Sequence, residues 1–214
     1  MDFDDVLANR RMVRHYLPDP VPPETVDRIA AVVRRAPSAG FSQGHRLLVV
    51  TDPATRARIA ELAEESYYTD RGAPPWLSVA PVLMVLGICE DDYHARYTKP
   101  DKLVDGEEME WPAPYWWVDA GALLTLIQLT AINEGLATGF ATVRAKEELA
   151  AYLGMPPEIA VVGVITVGRA HPDALAPADR ARLRGLRKPF GDLVRHESWK
   201  DGAPPPAPRP AAST

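Results

Sequence analysis

A single cysteine, Cys89, stands in 214 residues, so no disulfide framework can form within the chain, and no Cys/His spacing suits zinc. The acidic start MDFDDVLANRR has no apolar stretch behind it, so no signal peptide is expected. The longest apolar segment, AGALLTLIQLTAI, falls short of the roughly 20 residues of a membrane span and contains Thr and Gln. There is no dense Lys/Arg block, and a net charge of -5 argues against a general nucleic-acid binder. Any anion site must be local. The motifs G-x-G-x-x-G after a strand, G-x-x-x-x-G-K-[ST], G-x-S-x-G and H-E-x-x-H are all missing, which removes the common nucleotide, hydrolase and zinc-protease signatures. A cytoplasmic globular protein without nucleic-acid, metal or membrane partners is the expectation.

What is present is patterned. Phe3, Val6 and Leu7 form a short helical stripe, and the run PVPPETVDRIAAVVRRAP reads as a second helix, with Pro22 and Pro23 in its first turn and Pro37 stopping it. HRLLVVT predicts a central strand, followed by a third, amphipathic helix in DPATRARIAELAEESYY. APVLMVLGIC is apolar without alternation, as in a strand covered on both faces, and Cys89 at its end is expected in the core. Residues 90–117 read as an irregular excursion rich in Tyr, Trp, Pro and acids. The run 119–133 is a helix apolar nearly all round, which must lie centrally or at a subunit interface, with Gly135 ending it. AKEELAAYLG predicts a further helix and EIAVVGVITVG the third strong strand. From Arg169 the chain reads as basic and loop-like. The domain is expected to span 1–199, with 200–214, DGAPPPAPRPAAST, a flexible Pro/Ala tail. Helices alternating with a few non-adjacent strands give an α+β class, a small mixed or antiparallel sheet wrapped by helices.

Four segments could carry chemistry. Arg10, Arg11 and Arg14 place three guanidinia in five residues, either a solvated helix end or a shared anion site. Pro37, Ser38, Ala39 and Gly40 would let backbone approach a flat ligand, with Ser42 and Gln43 as polar tips; an ordinary helix-to-strand connection has the same composition. Gly135 to Phe140, with Thr138 and Gly139, could aim main-chain N–H groups at a ligand or simply cap a helix before a strand. Arg187 and Lys188 form a second cationic spot. His15 and His45 have no acid or nucleophile beside them in sequence and read as structural. Trp111, Tyr115, Trp116 and Trp117 suit either a pocket roof or a subunit contact.

Taken together, RRxVRxYxxxPVP, a helix, APSAGxSQ, a strand, then EGLATGF, LGMPPE, VITVG and RKPFGDLV resemble the FMN-dependent nitroreductase family from about residue 9 to 199. The resemblance implies an intertwined homodimer with two FMN sites at its interface. By the same resemblance, Arg10, Arg11, Met12 and Arg14 meet the phosphate and ribityl chain. Pro37, Ser38, Ala39, Gly40 and Gln43 lie against the isoalloxazine from the other subunit. Thr138, Gly139 and Phe140 approach the ring near N5, and Arg187 and Lys188 add a phosphate contact.

The chain departs from the family pattern where Met12 replaces a frequent Ser, Phe41 a frequent Asn, and Gly44-His45 a frequent Pro-Trp. A lost neutral hydrogen bond costs about 0.5–1.5 kcal/mol, which should weaken FMN binding without abolishing it. The implied reaction passes hydride from NAD(P)H to FMN and then electrons to a nitroaromatic or quinone-type acceptor, with no catalytic side chain beyond those that tune the cofactor. An oxidase acting on a peptide or similar substrate, or a flavin-binding subunit with little turnover, is compatible with the same residues.

Overall fold

The computed structural model describes residues 1–174 and 177–199. Contacts divide the chain into a unit Met1–Ala174 and a second unit from Leu175. The expected tail 200–214 lies outside the described residues.

The first unit is built on four antiparallel strands, β1 (His45–Val50), β2 (Val82–Cys89), β3 (Ala137–Ala141) and β4 (Ile159–Gly168), in the order β1-β2-β4-β3. β1 is therefore an edge strand, where the sequence suggests a central one. Its apolar run resembles a central strand because helices cover the sheet beside it. β2 is buried at every position. Val82, Met84 and Leu86 enter one core with Val26 and Ile29 of α2 (Pro23–Ala30) and Leu123 and Ile127 of α6 (Tyr115–Asn133). Leu83 and Val85 enter the opposite core with Ile59 of α3 (Pro53–Leu62) and Leu149 of α7 (Lys146–Tyr152). Alternate side chains of a strand point to opposite faces, so a strand between two helical layers must be apolar throughout.

Local chemistry sets the helix ends. Asp52 accepts from Thr55 N–H at 2.7 Å and Pro53 opens α3. At the end of α6, Gly135 takes φ 76, its N–H meets Ile132 O, and Leu136 N–H meets Ala131 O, a Schellman closure. The remaining helices of this unit are α1 (Phe3–Asn9), α4 (Ser66–Thr69) and α5 (Asp91–Tyr97). Of the expected α1 stripe only Val6 is buried; Phe3 and Leu7 are exposed. The second predicted helix ends at Ala30 and continues as a 3₁₀ turn, Ala31–Arg35, and the third breaks into α3 and α4.

Three further expectations change. Residues 90–117 are not wholly irregular, because α5 and the first turn of α6 lie within them. α6 starts at Tyr115 rather than at 119, and its 19 residues make it long and apolar enough to cross a membrane by length and composition. Its contacts with the sheet make it a core helix instead. The stretch after Arg169 contains two helices of the second unit, α8 (Pro177–Gly185) and α9 (Phe190–Leu193). The first is dominated by charged residues and the second is only 4 residues long, so neither shows a hydrophobic period.

Candidate functional site

The arginine segment lies in extended backbone beside β3. Met12 bridges Thr138 in parallel, and Val13 N–H donates to Thr138 O at 2.8 Å. Extended backbone alternates its side chains. Arg10, Met12 and Arg14 are exposed, whereas Arg11 is half-buried and Val13 fully buried. The three cations within this five-residue stretch are thus split between two faces. Arg11 lines a cavity of about 210 Å³ with Asn9, Ile132, Gly135 and Ala137, and its Nε is buried without a hydrogen-bond partner. Arg14 rests over the Trp76 ring at 5.4 Å. None of the three forms an ion pair among the described residues. The Met12 thioether accepts a hydrogen bond from Gln128 Nε2 at 3.4 Å.

Beneath this face a buried chain of hydrogen bonds fixes the geometry. Gly139 N–H donates to Thr166 Oγ1 at 3.0 Å, Thr166 and Tyr16 hydroxyls meet at 2.7 Å, and Tyr16 donates to Val13 O at 2.9 Å. Burial holds the Tyr16 phenol well above its ordinary range, so it stays a neutral donor. Gly139 is a packing glycine: a Cβ there would collide with Val13 O and stand 3.0 Å from the Trp76 ring. The sequence suggests that the Gly135 and Gly139 N–H groups are free for a ligand. The first is used by the helix closure and the second by Thr166. Thr138 is buried with no partner for its hydroxyl, and Phe140 packs with the α6 core.

The loop after α2 forms a second cluster. Pro37 is exposed, and Ser38, Ala39 and Gly40 are half-buried. Gly40, Phe41 and Gln43 all adopt left-handed backbone, with φ 59, 62 and 57. Such a path needs external support, and the support is polar. Asp119 Oδ2 accepts from Ala39 N–H at 2.9 Å and from Tyr93 O–H at 2.8 Å. Arg96 Nε donates to Gly40 O at 2.9 Å, and Ser38 Oγ accepts from Gln43 N–H at 2.9 Å. Tyr97 fills the space a Cβ on Gly40 would need.

Sequence reasoning did not anticipate Asp119, Tyr93, Arg96, Tyr97 or Trp76. The signal for Asp119 was available, since it is the only charged side chain in α6. α6 serves both clusters, through Asp119 at the loop and Gln128 at Met12, about 13 Å apart along its axis at 1.5 Å per residue. Arg187 and Lys188 are exposed residues of the second unit. His15 and His171 stack with ring centroids 3.9 Å apart, a structural pairing, and His45 is buried.

A family model described as Nitroreductase family matches residues 7–169. A curated relative named NADH dehydrogenase, from Thermus thermophilus, is 26% identical over 208 residues, covering 86% of this chain and 96% of the relative. A second, the FMN reductase (NAD(P)H) of Bacillus subtilis, is 28% identical over 183 residues, covering 82% of this chain and 66% of the relative. The solved structure of a nitroreductase family protein from Streptococcus pneumoniae has the same fold, with TM-score 0.70 at 20% identity over 91% of this chain and 100% of that one. With the arginine segment, the left-handed loop and the antiparallel sheet all inside the matched region, the chain belongs to the nitroreductase family.

Proposed function

We propose that the protein is an FMN-dependent oxidoreductase that takes hydride from NAD(P)H and passes electrons to an electron-poor acceptor of nitroaromatic or quinone type, working as a homodimer with FMN at the subunit interface. The observation that carries this reading is the row Arg10, Met12, Arg14: two guanidinia exposed on one face, with no carboxylate partner among the described residues. Exposed guanidinia without a carboxylate counter-ion suit an anion such as a phosphate monoester, which the planar guanidinium fork binds through paired charge-assisted hydrogen bonds. The family relative named as an FMN reductase supports the choice of ligand.

In this reading Arg10 and Arg14 hold the phosphate and ribityl chain, and Trp76 limits the directions Arg14 can take. Met12 offers a thioether in place of a hydroxyl. The loop 37–40, with Gln43, offers small side chains and backbone to the flat ring system in the partner's site. The segment around Thr138 fits direct contact less well, because the Gly139 N–H is spent on Thr166 and the space beside Gly139 is filled by Val13 and Trp76; it supports the arginine face from behind. Arg187 and Lys188 are proposed as further phosphate contacts. Bound FMN supplies the centre that accepts and donates hydride, while the chain binds it, orients it and shapes the acceptor site. The single thiol, buried and unpaired, suits a reducing compartment, so a cytoplasmic location belongs to the same proposal.

The test is the absorbance spectrum of the purified protein, reconstituted with FMN and titrated anaerobically with NADPH, then NADH. Oxidised-flavin bands that bleach support the reductase and identify its donor. Bands that persist overturn the NAD(P)H half of the reading in favour of an oxidase or a binding subunit. Arg14→Gln is expected to weaken FMN affinity about tenfold or more, the worth of one charged hydrogen bond. An unchanged affinity would remove Arg14 from the site.

A further inference from the structure

The loop after α2 carries two costs that the fold of the subunit does not require, and both fall on Phe41. Its backbone is left-handed, at φ 62. Glycine and asparagine tolerate that region, whereas a bulky side chain is rare there because its Cβ crowds the following carbonyl. Its ring is also 73% exposed, more than any other large hydrophobic side chain among the described residues. Exposure and strain are independent penalties, and a polar residue would avoid the first while a glycine would avoid both.

The ring is not on a loose tether. Phe41 N–H donates to Ser38 O at 2.9 Å, and Ser42 holds Ala39 O through its N–H at 3.1 Å and its hydroxyl at 2.7 Å. The neighbouring residues are anchored from outside the loop, Ala39 by Asp119 and Gly40 by Arg96. Tyr97 closes the space behind Gly40. Hydrogen bonds from two helices therefore press one apolar ring outward in a disfavoured backbone state. Strain maintained by surrounding structure marks a functional position.

We propose that Phe41 is a specificity-determining residue: its ring forms one wall of the acceptor site and selects flat aromatic acceptors over small polar or inorganic ones. The proposal rests on the FMN-dependent reading above, which places residues 37–40 and Gln43, on either side of Phe41, beside the flavin. With its backbone anchored, the ring is carried at a fixed place where a flat ligand can cover it. The contact removes apolar surface from water on both partners and adds an offset or edge-to-face ring interaction.

The experiment uses the full-length FMN-loaded protein and the variants Phe41→Asn, Phe41→Gly and Phe41→Leu, with menadione as the aromatic acceptor and ferricyanide as the inorganic one. For the Asn and Gly variants the ratio of kcat/KM for menadione to that for ferricyanide is expected to fall about tenfold, mainly through a higher KM for menadione. Leu, which keeps bulk but not flatness, should fall between. The same Asn and Gly variants should unfold about 2–4 °C higher than wild type, because the strain is relieved. A merely structural role would not raise stability while lowering selectivity.

An unchanged acceptor ratio overturns the proposal. So does a change confined to FMN affinity, measured by flavin fluorescence, which would make Phe41 a cofactor contact. A loss of dimer in sedimentation without a change in ratio would make it an interface residue. If wild-type protein binds no FMN, the spectrum shows that before any variant is assayed. In that case the functional reading falls first and this proposal with it.

Discussion

Asp119 illustrates how one buried carboxylate organises the proposed site. Its Oδ2 takes two donors, the Ala39 amide and the Tyr93 hydroxyl, and the residue is buried in the first turns of α6. Burial and then the Asp119 hydrogen bond hold the Tyr93 phenol well above its ordinary range, so the hydroxyl remains a donor at any ordinary pH. Truncating the acceptor leaves an amide and a phenol without partners, each costing about 1–3 kcal/mol when buried. Asp119→Ala is therefore expected to lower unfolding free energy by about 2–4 kcal/mol in urea denaturation. Asp119→Asn, which keeps one acceptor oxygen, should lose about half of that. If both variants match wild type, the loop does not depend on this carboxylate.

At the scale of elements, α5 and the segment after it are joined by a charged clasp. His94 Nδ1 and Trp111 Nε1 both lie 2.7 Å from Glu108 Oε1, and His94 Nε2 lies 3.4 Å from Glu90. The Glu108 hydrogen bond raises the His94 pKa above its ordinary 6.5, while the Trp111 and His94 hydrogen bonds lower Glu108 below its ordinary 4.5. A raised imidazole contributes stability that is complete below pH 6.5 and fades as pH rises through the folded value. A lowered carboxylate contributes above pH 4.5 and fades as pH falls through its folded value. The clasp is thus strongest between pH 4.5 and 6.5. The difference in melting temperature between wild type and His94→Gln should be largest in that window and narrow on both sides. Partial exposure of the imidazole makes the effect small, so the shape of the profile is the decisive reading. A difference that stays flat from acid through alkaline pH would contradict the assignment.

For the molecule as a whole, the exposed side of α6 bears on the proposed homodimer. Val118 is 62% exposed and Trp117 and Gly121 are exposed beside it, while Leu123 and Ile127 on the opposite side are fully buried. In the second unit, taken by itself, Leu186, Phe190 and Trp199 are exposed as well. Exposed apolar surface on separate elements is what a subunit interface would cover. Gly121 separates the two possibilities sharply, because a Cβ there meets nothing within 4 Å. In an isolated subunit Gly121→Leu should stabilise by about 0.5–1 kcal/mol through helix propensity alone. In a dimer packed through this face it should obstruct close approach and shift sedimentation toward monomer, with loss of FMN. A stabilised variant of unchanged size would exclude this face as the interface.

The order and type of the main elements were legible in the residues alone. A strand apolar at every position has to lie between two covering layers, and Asp52-Pro53 and Gly135 mark helix ends by chemistry that acts over one turn. The arginine segment and the small-residue loop were also visible, because charge density and the absence of bulk are local properties. Tertiary structure alone decided that β1 lies at an edge, since strand order depends on pairing between residues far apart in sequence. It also divided Arg10 and Arg14 from Arg11, spent the Gly139 N–H on Thr166, and placed Asp119 behind a loop 80 residues earlier in the chain. Each of these turns on which group finds which distant partner, and a hydrogen bond between distant residues leaves no period in the sequence.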